Sequence, residues 1–240
     1  MVFSIRIADI SIQIQSKYDG VYYTCKEYLA DDHQRPDIQI GIDDNMLMDE
    51  LRRIQQYNIG FHSLKATESL LVHRLIAESL PDYNAFLLHG ATVAVDNKAY
   101  LFSAKSGTGK TTHIYKWLEN VDNSYVVNGD KTVLVLRNNI VYACGTPWCG
   151  KENLGTNVMV PLKKIVIMER SDQNHVEPMT FRDIFPSLLE QTFQPTDPLI
   201  MKKTLSLMSQ VGKIVSFHKY YFNNYRDDAF QVSFSAISDC

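Results

Sequence analysis

Apolar residues recur at every second position near the start of the chain: Phe3, Ile5 and Ile7, then Ile10, Ile12 and Ile14. That period belongs to strands with one buried face. Asp19-Gly20 marks a turn before a further β-favouring run, Val21-Tyr22-Tyr23-Thr24, and after Pro36 the alternation returns in Asp37-Ile38-Gln39-Ile40-Gly41-Ile42. The pattern predicts a small antiparallel β lobe over residues 1–60, with little core of its own. Asp31, Asp32, Asp43 and Asp44 read as solvated turn residues. From Ser63 the period lengthens. Leu64, Leu70, Leu71, His73, Leu75, Ile76 and Leu80 follow helical spacing, and Pro81 closes the helix. His73 within it reads as partly buried and structural.

Short apolar runs dominate the second region, residues 61–240. Residues 85–88 lead into His89-Gly90-Ala91-Thr92-Val93-Ala94-Val95, and Asp96-Asn97 turns the chain into Lys98-Ala99-Tyr100-Leu101-Phe102. The spacing sets His89 and Gly90 on a strand beside 98–102. A short strand over 124–127 ends in Asn128-Gly129-Asp130-Lys131, and 132–136 pairs with 140–143 across Asn138-Asn139. A core strand over 162–168 ends in Glu169-Arg170; helices over 181–192 and 199–211, a strand over 213–217 and a helix over 227–237 follow. The fold class is α/β, a mixed sheet with helices. Between 145 and 157 runs a polar, glycine-containing segment holding Trp148, Lys151 and Glu152. Segments of that length inside compact domains are usually functional or disordered, and these side chains favour function.

The chemistry concentrates in Phe102-Ser103-Ala104-Lys105-Ser106-Gly107-Thr108-Gly109-Lys110-Thr111-Thr112. This is a Walker A loop with Ala104 in place of the usual first glycine, and it follows a predicted strand and opens a predicted helix. Gly107 and Gly109 allow the backbone N–H groups to curl around phosphate oxygens, helped by the partial positive charge of the helix N-terminus. Ser106, Gly107, Thr108, Gly109, Lys110, Thr111 and Thr112 would form the nucleotide cradle, Lys110 bridging the β- and γ-phosphates and the Thr111 hydroxyl holding Mg²⁺. Asp130 ends the next predicted strand and is the candidate second metal ligand. Metal binding lowers a carboxylate's pKa, so the proton acceptor is sought elsewhere: in Glu152, with His89 as the reserve. Lys131, Lys151 and Arg170 are further candidates for phosphate or acceptor contacts.

Composition narrows the classes. The formal net charge of −3 gives no electrostatic case for nucleic acid. Four scattered cysteines (Cys25, Cys144, Cys149 and Cys240) form no paired motif and read as reduced thiols. No apolar run reaches membrane-spanning length and no signal-like leader opens the chain, so a soluble, cytoplasmic protein without a membrane partner is expected.

The order His89-Gly90-Ala91, a short hairpin, Ser106-Gly107-Thr108-Gly109-Lys110-Thr111 and then Asp130 resembles the HPr kinase/phosphorylase family, over roughly residues 85–170. The stretch Gly145-Thr146-Pro147-Trp148-Cys149-Gly150-Lys151-Glu152 is similar to shorter relatives of that family that phosphorylate peptides or free serine. The resemblance implies a P-loop fold of the phosphoenolpyruvate-carboxykinase-like group and an ATP- and Mg²⁺-dependent kinase. Its acceptor would be a serine-type hydroxyl on a protein, peptide or small molecule, and a homo-oligomer is compatible with it. The family places two adjacent aspartates where this chain has Gly129-Asp130. A nucleotide-binding regulatory or scaffold protein is the rival reading.

Overall fold

The computed structural model describes residues 1–31, 35–56, 63–223 and 228–238. Asp32, Cys240 and the expected start of the last helix at Asp227 lie outside them. The N-terminal alternation does form a hairpin, β1 (Val2–Ile7) with β2 (Ile10–Gln15), Ile5 facing Ile12 and Ile7 facing Ile10. The third strand, β3 (Ile38–Gly41), pairs with β2 in parallel, so the lobe's sheet is mixed rather than antiparallel. The cause is the connection. The run expected to extend is instead helix α1 (Gly20–Thr24), with a 3₁₀ turn at Lys26–Tyr28, and a crossover of this length returns the chain for parallel pairing. Val21 and Cys25, one helical turn apart, are both fully buried, a spacing that suits a helix and not a strand.

Helix α2 (Asp44–Gln56), absent from the sequence expectations, buries Leu47, Glu50 and Ile54 on one face. Glu50 is only 1% exposed, and its carboxylate is held by Arg53 (2.5 Å) and Arg74 (2.9 Å). Helix α3 (Leu64–Ser79) starts where expected, with the Ser63 hydroxyl accepting from the Ala66 N–H at 3.3 Å. The isoleucines of β1, β2 and β3 share one cluster with Leu71, Val72 and Ile76 of α3 and with Val133 and Val135. The lobe's core therefore continues past residue 60.

The larger sheet comprises β4 (Ala85–His89), β5 (Ala91–Val95), β6 (Lys98–Ser103), β7 (Tyr125–Asn128), β8 (Lys131–Arg137), β9 (Ile140–Cys144), β10 (Met159–Arg170), β11 (His175–Met179) and β12 (Ser216–Phe222). Its order is β4-β8-β9-β10-β6-β5-β7, with β12 on β10 and β11 on β12. Strand β10 joins two parts of the sheet: Met159–Pro161 pairs antiparallel with β9, residues 162–167 run parallel beside β6, and residues 164–170 run parallel beside β12. The remaining helices are α4 (Lys110–Asn120), α5 (Phe181–Gln191), α6 (Pro198–Val211) and α7 (Ala229–Ile237).

The period of two in β6 and β10 divides their side chains between the two faces. Leu101, Ile165 and Ile167 pack with Ile184, Leu188, Leu207 and Met208 of α5 and α6. Tyr100, Phe102, Val166 and Met168 pack with Ile114, Trp117, Phe230 and Ile237 of α4 and α7. Helices on both faces explain why β6 shows no polar alternation. Residues 213–215 are not strand: Ile214 and Val215 donate to the Val211 carbonyl, ending α6 before β12 begins. Strands β4 and β5 do not pair. As expected, the hairpin is β5 with β6; β4 pairs with β8 and sets His89 opposite Lys131, while the Ser103 hydroxyl at the end of β6 donates to the His89 carbonyl at 2.6 Å, which keeps His89 next to the strand that feeds the loop.

Candidate active site

Strand β6 delivers the chain into the loop at Ala104, and α4 leaves it at Lys110. Gly107 (φ +75°) and Gly109 (φ +121°) hold backbone conformations that side chains with a Cβ rarely adopt. Thr108 tightens the bend, its N–H (3.3 Å) and hydroxyl (2.7 Å) both donating to the Lys105 carbonyl. The end of β10 braces it: Arg170 donates to the Gly107 carbonyl (2.8 Å) and to the Thr108 carbonyl (3.3 Å). Lys110 is 8% exposed, and its ammonium donates to the Ala104 carbonyl at 2.8 Å. Burial pulls its pKa below the usual lysine range; the Asp130 charge opposes that pull and Lys131 adds to it.

Asp130 stands just after β7, and its setting is built by Asn128. The fully buried Asn128 amide donates to the Thr146 carbonyl (3.1 Å) and hydroxyl (3.0 Å). Its oxygen accepts from the Asp130 (2.8 Å) and Lys131 (2.7 Å) N–H groups, which fixes the turn. His89 Nε2 lies 3.0 Å from Asp130 Oδ1. On Asp130, burial pushes the pKa up, but the His89 hydrogen bond and the charges of Lys131 and Lys110 outweigh it, leaving the carboxyl below its ordinary value. It stays ionised at neutral pH.

The residues named from sequence largely meet in one cleft of about 550 Å³. Ser106, Gly107, Gly109, Lys110, Thr111, Thr112, His89, Asp130, Lys151 and Glu152 all line it. Thr108 faces the other flank of the loop. Glu152 is exposed, and a Cβ on Gly150 would lie 3.6 Å from its Oε2 and 3.2 Å from the Asp130 Cβ, which sets this segment against Asp130. Trp148 turns away. Its ring packs on His73, with centroids 4.8 Å apart, against the lobe's cluster. Burial there brings the His73 pKa down to about 4, with the Lys131 charge adding.

Two features escaped the sequence. Gln191, the last residue of α5, places Oε1 2.8 Å from His89 Nδ1. Both ring nitrogens of His89 thus have partners, one of them the Asp130 carboxylate. The second feature is the room at Gly129. A Cβ there would meet the Cys149 carbonyl oxygen at 2.7 Å and the Leu154 carbonyl oxygen at 3.1 Å. The Gly129 N–H also donates to the Leu154 carbonyl (2.8 Å). No carboxylate side chain can stand at position 129 while the 149–154 segment keeps this path.

The donors suit a hard divalent cation: the Thr111 hydroxyl and the Asp130 carboxylate share the cleft, and Mg²⁺ takes few protein oxygens besides substrate phosphates. Among the described residues, no cluster of three or more histidine, cysteine or acidic side chains forms a metal cage, and no helix is long and apolar enough to cross a membrane.

No protein-family model matches the chain, and no curated protein does. Among solved structures, the chain is similar to the Hpr(Ser) kinase/phosphatase from Coxiella burnetii, at 12% sequence identity and a TM-score of 0.30. That match covers 53% of this chain and 92% of the other. At that score the two backbones superpose too loosely to inform the site, so its chemistry is argued from this chain's own residues.

Proposed function

We propose that the protein is an ATP- and Mg²⁺-dependent phosphotransferase that moves the γ-phosphoryl group to a serine-type hydroxyl. The observation that carries this is the meeting, in one cleft, of the 106–112 loop, Lys110, the ionised Asp130 and Glu152. Phosphoryl transfer asks a protein chiefly for positioning and charge neutralisation, so few side chains suffice. The loop's N–H groups and the start of α4 hold the phosphates. Lys110 leaves the Ala104 carbonyl for the β- and γ-phosphates. Thr111 and Asp130 would hold Mg²⁺, which when bound neutralises charge on the phosphates. His89 keeps Asp130 turned toward the loop. Glu152, which has no cationic partner among the described residues, takes the acceptor's proton.

Equilibrium binding of Mg·ATP and single-turnover transfer, compared between the wild type and Lys110→Ala, test the proposal. Loss of both in the variant supports it; unchanged affinity and turnover would reduce the loop to a simple turn. The crowding at Gly129 favours one other reading, a nucleotide-binding regulator with a single carboxylate and no turnover. Tight Mg·ATP binding by the wild type with no phosphorylated acceptor and no ATP hydrolysis would select it.

A further inference from the structure

Besides Lys110, the sequence offers Lys131, Lys151 and Arg170 as cations for the reacting phosphates. Their places in the fold differ. Arg170 lines the cleft on the other flank of the loop and donates to the Gly107 and Thr108 carbonyls. Lys131 opens β8 opposite His89 and is not among the residues that line the first cleft. Lys151 does line it, together with Lys110, Asp130 and Glu152. It is exposed, and among the described residues no acidic group pairs with it, although two carboxylates line the same cleft.

The backbone that carries Lys151 is pinned on both sides. Before it, the Thr146 hydroxyl donates to the Lys131 carbonyl (2.7 Å) and accepts from the Asn128 amide (3.0 Å). After it, the Leu154 carbonyl accepts from the Gly129 N–H (2.8 Å), and the Asn153 N–H closes the turn onto the Gly150 carbonyl (3.3 Å). Gly150 itself holds φ +87° against Asp130. A compact ammonium on a flexible stem is thus held beside the candidate metal ligand, and only its rotamers need change to meet a phosphate. Of the fixed charges lining the cleft, Lys110 and Lys151 are matched by Asp130 and Glu152. In the kinase reading Mg²⁺ engages Asp130, and the β- and γ-phosphates engage Lys110. Glu152 loses its charge as it accepts the proton, so the charge of its neighbour Lys151 is then no longer offset. An interaction that strengthens on the way to the transition state raises the rate rather than the ground-state affinity.

We propose that Lys151 is a further catalytic residue, the cation that stabilises the phosphoryl group in transit. This rests on the kinase reading and deepens it. The acceptor oxygen forms a bond to the γ-phosphorus as the bond from phosphorus to the bridging oxygen breaks. The electron pair of that bond leaves with ADP, and the acceptor's proton goes to Glu152. Lys151 supplies charge and no proton: its ammonium meets the oxygens of the moving phosphoryl group, where negative charge is spread.

The test uses the full chain with Mg·ATP and water as the acceptor. Trapping of Mg·ADP with aluminium fluoride, which mimics the flattened phosphoryl group, is read by fluorine NMR beside beryllium fluoride, which mimics bound ATP. Lys151→Met should slow hydrolysis by about 10²–10³-fold, the range for removing one transition-state donor, while Kd for Mg·ATP stays within about threefold. It should also lose the aluminium fluoride complex and keep the beryllium fluoride complex. Lys151→Arg keeps the charge and should recover most of the rate and the trapping. Lys151 is exposed, so neither substitution should disturb folding. A Lys151→Met protein that hydrolyses ATP and traps aluminium fluoride as the wild type does overturns the proposal. So does a loss of Mg·ATP affinity as large as the loss of rate, since Lys151 would then hold the ground state equally well. A wild type that binds Mg·ATP but neither turns it over nor traps the mimic overturns the proposal and selects the regulatory reading. Failure of the wild type to bind Mg·ATP at all overturns the kinase reading and the proposal with it.

Discussion

Gly129→Ala adds one methyl group at a place with no room for it. That carbon would stand 2.7 Å from the Cys149 carbonyl oxygen and 3.1 Å from that of Leu154. Both are backbone atoms, so no side-chain rotation relieves the contact, and residues 149–154 must shift outward by several tenths of an ångström. Overpacking of this kind costs about 1–3 kcal/mol. The shift also stretches the bond from the Gly129 N–H to the Leu154 carbonyl, worth about 1 kcal/mol more. A total of roughly 2–4 kcal/mol corresponds, for a chain of this size, to a melting temperature lower by roughly 4–16 °C. Scanning calorimetry measures it. Function should change too, because Lys151 and Glu152 ride on the displaced segment: single-turnover transfer falls, while Mg·ATP affinity stays within about threefold of the wild type, since the 106–112 loop is untouched. Gly129→Asp should be no better, although it restores an adjacent pair of carboxylates. A Gly129→Ala protein melting within about 1 °C of the wild type would refute the steric reasoning. A faster Gly129→Asp enzyme would refute the conclusion that this site works with one carboxylate beside the loop.

Further expectations follow from individual groups. Glu152→Gln should slow single-turnover transfer by about 10²–10⁴-fold with Mg·ATP binding near normal, the range expected when a general base is lost. Asp130→Asn should instead raise the Mg²⁺ concentration needed for half-maximal binding, as titration with the metal would report. Arg170→Met removes the two bonds to the loop carbonyls; being exposed, it should weaken Mg·ATP binding by only about fivefold and leave the melting temperature almost unchanged. His113 is 1% exposed, and burial lowers its pKa from 6.5 to about 3, so the folded protein stays unprotonated there while the unfolded chain gains a proton below pH 6.5. Stability contributed by that difference is lost as pH falls, by about 2 kcal/mol between pH 7 and pH 5. In urea titrations at the two pH values, His113→Gln should remove that part of the acid sensitivity while keeping an acceptor for Trp117 Nε1, 3.1 Å away.

What could be read without coordinates was what local chemistry determines. The loop between Ala104 and Thr112 is specified by its own residues, since two glycines must supply the unusual φ values and a lysine and threonine must follow at fixed offsets. Most strands of the larger sheet announced themselves through apolar runs, but not β11, whose His175-Val176-Glu177-Pro178-Met179 has no such run; α3 announced itself through its spacing and its Ser63 cap. The failures have a shared cause. Whether β3 runs parallel or antiparallel to β2 depends on how the connection folds, and that connection was read from β-favouring side chains whose burial follows a helical turn instead. Helix α2 places a glutamate on its buried face, neutralised there by Arg53 of the same helix and by Arg74 from α3, a partner the local pattern does not show.

The site divides along the same line. Lys110 and Thr111 are neighbours in sequence, and Asp130 follows at the end of a strand, so their meeting could be anticipated from the chain alone. Gln191 could not: its partner His89 lies on β4, and only the packing of α5 beneath the sheet brings the two together. Sequence also suggested a vacancy at Gly129, a carboxylate lacking where one belongs. Coordinates replace that with a different cause. The position is filled by the backbone of a neighbouring segment, and the same segment delivers Glu152 to the cleft. A loop that carries a carboxylate into the cleft must have room beside Asp130. In this protein the room is made by glycine, so the absence of the second carboxylate and the presence of Glu152 are one structural choice. If that is so, the two positions exchange roles only together: a carboxylate at 129 requires a loop that no longer reaches the cleft.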